Sequence, residues 1–286
     1  MKELFVSYLY RVRHDIAFRI TLFVGVGLSL LMALLYWGLG KALEYNLISG
    51  QMMIYASLSP TQNFGLAIPI NLITFTVLEF NQGSIRNKII AGHSKAQVYT
   101  SLVINGLVFT FILVGVYVSL CFGLGTLFGI HKEVIDGVEK WVPGFEPNGM
   151  IMNTSGLYAG YTKDFFLGKI ITIAIFSYAS IVSFTIFFAA LFRNIGPCIP
   201  VIIVGIMIAY FAGLLVPMFD DEKVLWAARI VDPLYGLSAT EIETIGDQTY
   251  QVVTNETFIS GICSNIAYFA IFYVGGLFIF KNRDVK

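Results

Sequence analysis

The chain has 286 residues, and its 18 Lys and Arg are balanced by 18 Asp and Glu. It is 57% hydrophobic and 13% charged, with a mean hydropathy of +0.77. Soluble globular domains usually carry about 25% charged residues. The composition therefore excludes a soluble domain and indicates an integral membrane protein, in which each helical crossing needs about 20 apolar residues.

Residues 2–17 predict an amphipathic helix. At the helical turn angle their apolar side chains fall within one arc of about 100°; they are Phe5, Tyr8, Leu9, Val12 and Ile16. The basic residues lie outside that arc, so we expect this helix to rest in the headgroup layer of an anionic membrane. The alternative is a piece of ordinary core helix.

Long apolar runs follow along the chain. Backbone groups in hydrocarbon must be satisfied within their own segment, so each run predicts a helix. The fold class predicted is all-α, a polytopic membrane protein that forms a single domain over residues 1–286. The six runs cover residues 20–39, 63–80, 100–129, 165–192, 198–217 and 258–280.

The basic residues predict the orientation. An even number of spans places both termini on one side, and that side holds most of the 18 Lys and Arg residues in short segments. Such a side is cytoplasmic. We therefore expect an integral protein of a bacterial plasma membrane with both termini in the cytoplasm, and acidic outer segments over residues 40–62, 131–163 and 218–257.

The first half of the outer segment 218–257, between the fifth and sixth spans, predicts a short helix that dips back toward the membrane interface. Trp226 and Tyr235 suit aromatic anchors at the membrane interface. With Asp232 and Pro233 they form either an outer gate or a simple packed cap, and the sequence leaves both open.

Few ionisable groups fall within the spans. Glu79 and Lys169 lie near span ends, where water can reach them, so neither predicts an intramembrane ion site. The mid-span polar residues are uncharged, and we expect them to join helices by hydrogen bonds rather than to bind a substrate. They are Asn71, Thr74, Asn105, Ser177, Ser180, Ser183 and Asn265.

The sequence offers no energy source or catalytic centre of its own. The pairs Gly40-Lys41 and Gly168-Lys169 lack the rest of a phosphate-binding loop. The three His residues are scattered, and the three Cys residues stand alone in apolar runs. We therefore expect no enzymatic activity, and no cofactor or metal bound by this chain.

Residues 81–97 form a polar and basic island between two apolar runs. The pattern here resembles the loop between the second and third helices of type-two ABC exporter permeases: Glu79, Gly83-Ser84, Arg86-Asn87-Lys88, Ala91-Gly92-His93-Ser94-Lys95 and Tyr99. The resemblance extends to the amphipathic N-terminal helix, the six spans and the Asp232-Pro233-Leu234-Tyr235 pattern of the outer segment.

The resemblance implies a coupling helix within 83–96 that docks on a separate ATP-binding cassette subunit, where ATP and Mg would bind. The residues assigned to that interface are Gly83, Ser84, Ile85, Arg86, Asn87, Lys88, Ile89, Ala91, Gly92, His93, Ser94 and Lys95. Ile85, Ile89 and Ile90 would form an apolar ridge, while Arg86, Lys88 and Lys95 could meet carboxylates on the partner. Arg86 is the first candidate, because a guanidinium binds a carboxylate in bidentate fashion. These charges could also serve only to keep the loop in the cytosol.

The function expected is that of a permease subunit of an ATP-driven exporter, which moves a peptide, a lipid or another amphipathic cargo. Its partners would be the ATPase subunit, a second copy of itself or a similar permease, and membrane lipids, but no nucleic acid. The first alternative is a scaffold, channel or sensor subunit that does not use ATP. The second is an ion-driven carrier, which the scarcity of carboxylates in the spans disfavours.

Overall fold

The computed structural model describes residues 6–7, 10, 14–43, 48–58, 67–135, 138–146, 150–152, 159–215, 241–245 and 248–283. Within these ranges the chain is mostly helical. Its helices are α1 (Ile16–Leu43), α2 (Gly50–Leu58), α3 (Ala67–Asn81), α4 (Ser84–Ile90), α5 (Lys95–Phe128), α6 (Phe166–Phe192), α7 (Ile195–Leu215) and α8 (Asn255–Asn282).

Within the described ranges, four helices are long and apolar enough to cross a membrane, which supports a membrane-embedded helical protein. They are α1 over Ile16–Lys41, α5, α6 and α8. The second predicted span corresponds to α3, whose apolar stretch Ala67–Asn81 is shorter, and the fifth corresponds to α7 (Ile195–Leu215). At 1.5 Å per residue, the 15 residues of α3 extend about 22 Å, against about 30 Å of hydrocarbon. Six spans therefore stay a prediction.

The remaining predicted elements lie partly outside the described ranges. Of the N-terminal amphipathic helix predicted over 2–17, the structure describes residues 6–7, 10 and 14–17. Val6, Ser7, Tyr10 and His14 are helical, Asp15 is not, and Ile16 begins α1. His14 Nδ1 lies 2.8 Å from the carbonyl oxygen of Tyr10, one helical turn away. The first half of the outer segment 218–257 is outside the described residues.

The outer segments contain strands, which the sequence analysis did not predict. The strands are β1 (His131–Ile135), β2 (Val138–Val142), β3 (Met150–Met152), β4 (Ala159–Thr162), β5 (Glu241–Ile245) and β6 (Gln248–Val252). β1 and β2 form an antiparallel hairpin, and the other four form a sheet in the order β3-β4-β6-β5. The described residues between α7 and α8 thus form a β-hairpin, whereas the first half of that segment, where the helix is predicted, lies outside the described residues.

One parallel pair joins two distant outer segments. β4 precedes α6, β6 precedes α8, and Tyr161 of β4 lies opposite Tyr250 of β6. By chain connectivity, this sheet lies at one end of the helical bundle and α4 lies at the other. We refer to these as the sheet end and the α4 end.

The helix α6 is the most buried of the four long helices, and α8 packs along it. Serines recur on α6 at every third position, which places them on one face of the helix. Ser180 Oγ donates to Asn265 Oδ1 at 3.0 Å, and Asn265 Nδ2 donates to Ser177 Oγ at 3.1 Å. Ser183 Oγ donates to the carbonyl oxygen of Phe269 at 3.0 Å. Small polar residues thus join α6 to α8, as the sequence analysis predicted for them.

The other mid-span polar residues divide into two groups. Asn71 Nδ2 of α3 donates to Thr21 Oγ1 of α1 at 2.6 Å and therefore joins two helices. Thr74 and Asn105 instead donate to carbonyl oxygens one turn back on their own helices. The described hydrogen bonds of Thr74 and Asn105 therefore stay within one helix and do not join two helices, contrary to the prediction.

Candidate functional site: the α4 end of the bundle

The short helix α4 lies between two glycine turns. Gly83 precedes it with φ 67° and Gly92 follows it with φ 95°. No atom lies within 4 Å of a Cβ built on either glycine, so it is the backbone conformation that favours glycine there, and not a lack of space. The left-handed region costs other residues about 1–2 kcal/mol. These two turns let the chain leave α3, form α4 and enter α5 within a few residues.

Ser94 fixes the start of α5. Its side chain accepts a hydrogen bond from the Gln97 backbone N–H, and the Gln97 side chain accepts one from the Ser94 backbone N–H. This reciprocal arrangement satisfies two donors that the first helical turn leaves without partners. The end of the loop is therefore set by local sequence.

The helix α4 has a buried side and an exposed side. Ile85 is fully buried in the main core, and Ile89 packs against that core while half-buried. Ile90 is 72% exposed, and Arg86 and Asn87 are exposed beside it. We call Arg86, Asn87 and Ile90 the exposed face of α4. The apolar ridge expected from the sequence is therefore divided, because two of its three isoleucines anchor α4 to its own chain.

A buried ion pair joins α4 to α3. Lys88 Nζ lies 2.7 Å from Glu79 Oε2, and the two side chains are 13% and 0% exposed. The prediction that water reaches Glu79 is wrong, because its side chain is completely covered. Removing one partner of such a pair leaves a buried charge, at a cost of about 3–5 kcal/mol. Lys88 is thus engaged within the chain in this conformation.

Lys95 also has partners within the chain. Its Nζ donates to the carbonyl oxygens of Lys281 at 3.2 Å and Arg283 at 2.9 Å, at the last turn of α8. The unsatisfied carbonyls at a helix C-terminus favour a cation. Arg283 in turn donates from Nη1 to the carbonyl oxygen of Leu191 in α6. These contacts tie the ends of α5, α6 and α8 together.

Arg86 differs from the other two basic residues of this loop. Its side chain is exposed and makes no hydrogen bond or ion pair with any residue that the structure describes. A guanidinium with five N–H donors is therefore available to a partner at this end of the bundle. Of the three cations expected to contact a partner, Arg86 is the one that is free to do so without losing a contact seen here.

The other predicted site residues are distributed around this surface. Gly83, Ser84 and His93 are half-buried, and Ala91, Gly92 and Ser94 are exposed. The predicted outer gate residues are not covered: Trp226, Asp232, Pro233 and Tyr235 lie outside the described residues.

The helix α2, which was not predicted from the sequence, is almost wholly buried against α5 at the sheet end. Gly50 N donates to the carbonyl oxygen of Gly144 at 2.7 Å. A Cβ on Gly125 of α5 would come within 2.6 Å of Met53 Cγ. The glycines of α5 near this contact could have indicated that another helix packs there, since small residues let helices approach closely.

The described residues include no group of three or more His, Cys, Asp and Glu side chains that could hold a metal ion. At the α4 end, the exposed face of α4 presents the Arg86 guanidinium beside the exposed Ile90 side chain. Comparison of the chain with known protein families, with curated proteins and with solved structures found no match.

Proposed function

We propose that this chain is the membrane-spanning permease subunit of an ATP-driven exporter, and that the exposed face of α4 binds a separate ATP-binding cassette subunit. A second copy of the chain, or a similar permease, completes the translocation pathway for a peptide, a lipid or another amphipathic cargo. The α4 end faces the cytoplasm of a bacterial cell in this proposal, and both termini lie on that side.

The observation that carries the proposal is the geometry of α4. A helix of 7 residues is held on a bundle of apolar helices by Ile85 and the Glu79–Lys88 pair, while Arg86 and Ile90 remain exposed. A guanidinium next to an exposed apolar side chain suits a partner cleft that combines a carboxylate with an apolar wall. The basic residues of this end also support a cytoplasmic location.

The test is association with an ATP-binding cassette subunit encoded in the same genome and coexpressed with the chain. In mild detergent we expect Arg86→Glu to weaken the association about tenfold or more, because a like charge then faces the partner's carboxylate. The matched control is Lys41→Glu, which makes the same charge change on an exposed residue in the last turn of α1.

Equal association of the Arg86→Glu variant and the parent chain would refute the docking role of α4. If no ATPase subunit copurifies with the parent chain, the result favours a scaffold, channel or sensor subunit instead. Stimulation of ATP hydrolysis in the purified complex, and its loss in Arg86→Glu, would extend the result from binding to coupling.

A further inference from the structure

We propose that Glu79 and Lys88 are positioning residues that hold α4 on α3, so that a force applied to α4 moves α3 with it. The consequence for transport rests on the proposed function. The placement of α4 is a property of this chain alone and can be measured without any partner.

The ion pair crosses the turn between the two helices. Glu79 lies in the last turn of α3, Lys88 lies in α4, and Gly83 with its left-handed backbone stands between them. The residues are nine positions apart, so the pair is not a contact along one helix. It therefore contributes to the placement of one helix against the other, and not to the helicity of either.

Burial makes this contact hard to separate. The Glu79 carboxylate is fully covered, and Lys88 Nζ is 2.7 Å away. If α4 moved off alone, it would leave a carboxylate in surroundings of low dielectric without this cation. Motion of α3 and α4 as one body keeps the pair intact and is therefore favoured.

The other end of the loop is fastened to a different helix. Lys95 at the start of α5 donates to the carbonyl oxygens of Lys281 and Arg283 at the end of α8. The exposed face of α4 thus lies between two connections, one to α3 and one to α8. A displacement of Arg86 or Ile90 is transmitted to α3 through Lys88, which lies on the same short helix. The contact with α8 is made by Lys95, which lies beyond the Gly92 turn.

The experiment measures how well α4 covers its buried side. A single cysteine replaces Ile85, which is fully buried, in a background in which all three native cysteines, Cys121, Cys198 and Cys263, are replaced by alanine. The rate of modification by a polar maleimide is measured on the purified full chain in mild detergent. We expect slow modification of Ile85→Cys and fast modification of Asn87→Cys, since Asn87 is exposed.

Adding Glu79→Gln to Ile85→Cys should speed modification at least about tenfold, which corresponds to about 1.4 kcal/mol. Lys88→Met should have the same effect, while Lys88→Arg should keep the slow rate because it retains the cation. Thr74→Val is the matched control, as the Thr74 hydroxyl donates only to the carbonyl oxygen of Ile70 on its own helix among the described contacts.

Unchanged rates in both Glu79→Gln and Lys88→Met would overturn the proposal, as would equal rates for Lys88→Met and Lys88→Arg. If Glu79→Gln does not give a monodisperse protein, the comparison of the two Lys88 variants decides. No ATPase subunit is present in this assay. Failure of the Arg86→Glu test would therefore remove the proposed function and leave the positioning of α4 by Glu79 and Lys88 standing.

Discussion

Gly276 of α8 lies where that helix passes closest to Tyr99 of α5. Tyr99 is fully buried, and a Cβ built on Gly276 would overlap its hydroxyl oxygen and come within 2.6 Å of Cζ. Insertion of a methyl group into a packed core typically costs about 1–3 kcal/mol. Alanine favours a helix over glycine by about 1 kcal/mol, which offsets part of that cost. The overlap with the hydroxyl places the cost in the upper part of that range, so after the offset we expect Gly276→Ala to destabilise the chain by about 1–2 kcal/mol.

The hydroxyl group of Tyr99 offers a specific rescue. Its Oη is buried and has no hydrogen-bond partner among the described residues, so Tyr99→Phe removes an unsatisfied polar group together with the atom that would overlap most. A buried unsatisfied group costs about 1–3 kcal/mol, so Tyr99→Phe alone should be neutral or stabilising. In the double variant the clash with Cζ remains, and we expect partial recovery with a coupling energy of about 1 kcal/mol.

The assay is thermal unfolding of the purified chain in one detergent, followed by circular dichroism of the parent, both single variants and the double variant. A change of 1 kcal/mol corresponds to about 2–4 °C in Tm for a chain of roughly this size. Gly115→Ala is the matched control, because Gly115 lies in the middle of α5 with no atom within 4 Å of a built Cβ. If Gly276→Ala unfolds at the parent temperature, or if Tyr99→Phe lowers the Tm by itself, the reasoning is refuted.

Two further predictions use the same assay. Asn265→Ala removes two side-chain hydrogen bonds to α6, worth about 0.6 kcal/mol each in membrane proteins, and leaves a small cavity. It should lower the Tm by several degrees, whereas Asn87→Ala on the exposed face of α4 should not; equal Tm values for the two variants would contradict the structural role of Asn265. Gly92→Ala forces a side chain onto a backbone with φ 95° and should cost about 1–2 kcal/mol. Gly115→Ala is its control as well, and a Gly92→Ala variant as stable as that control would show that the turn tolerates a Cβ.

The apolar helices could be predicted because each contains a long hydrophobic run, but hydrophobicity alone does not define where a helix begins. The predicted third span begins at residue 100, whereas α5 begins at Lys95. The difference arises because the first turn of α5 is polar and is defined by the Ser94 cap, which a hydropathy pattern does not register. The predicted range for the helix of the α4 end, residues 83–96, contains α4 at Ser84–Ile90.

The contacts at the α4 end could not be predicted from the same patterns. The Glu79–Lys88 pair spans a turn, so no helical spacing indicates it, and the burial of Ile85 depends on which side of α4 meets the bundle. The helix α2 and the strands were not predicted for a related reason. Short elements gain their stability from tertiary packing and cross-strand pairing, and these are not local properties of the sequence.

The parallel pairing of β4 with β6 has a consequence for biogenesis. β4 emerges before α6 and α7 are made, but the strand beside it arrives only with the segment that leads into α8. Until then one edge of β4 has no partner and is open to pairing with other chains. The sheet is therefore completed only after α6 and α7 have been made, when α8 can pack on α6. Chains truncated after α7 should accumulate as aggregates rather than as a smaller stable protein.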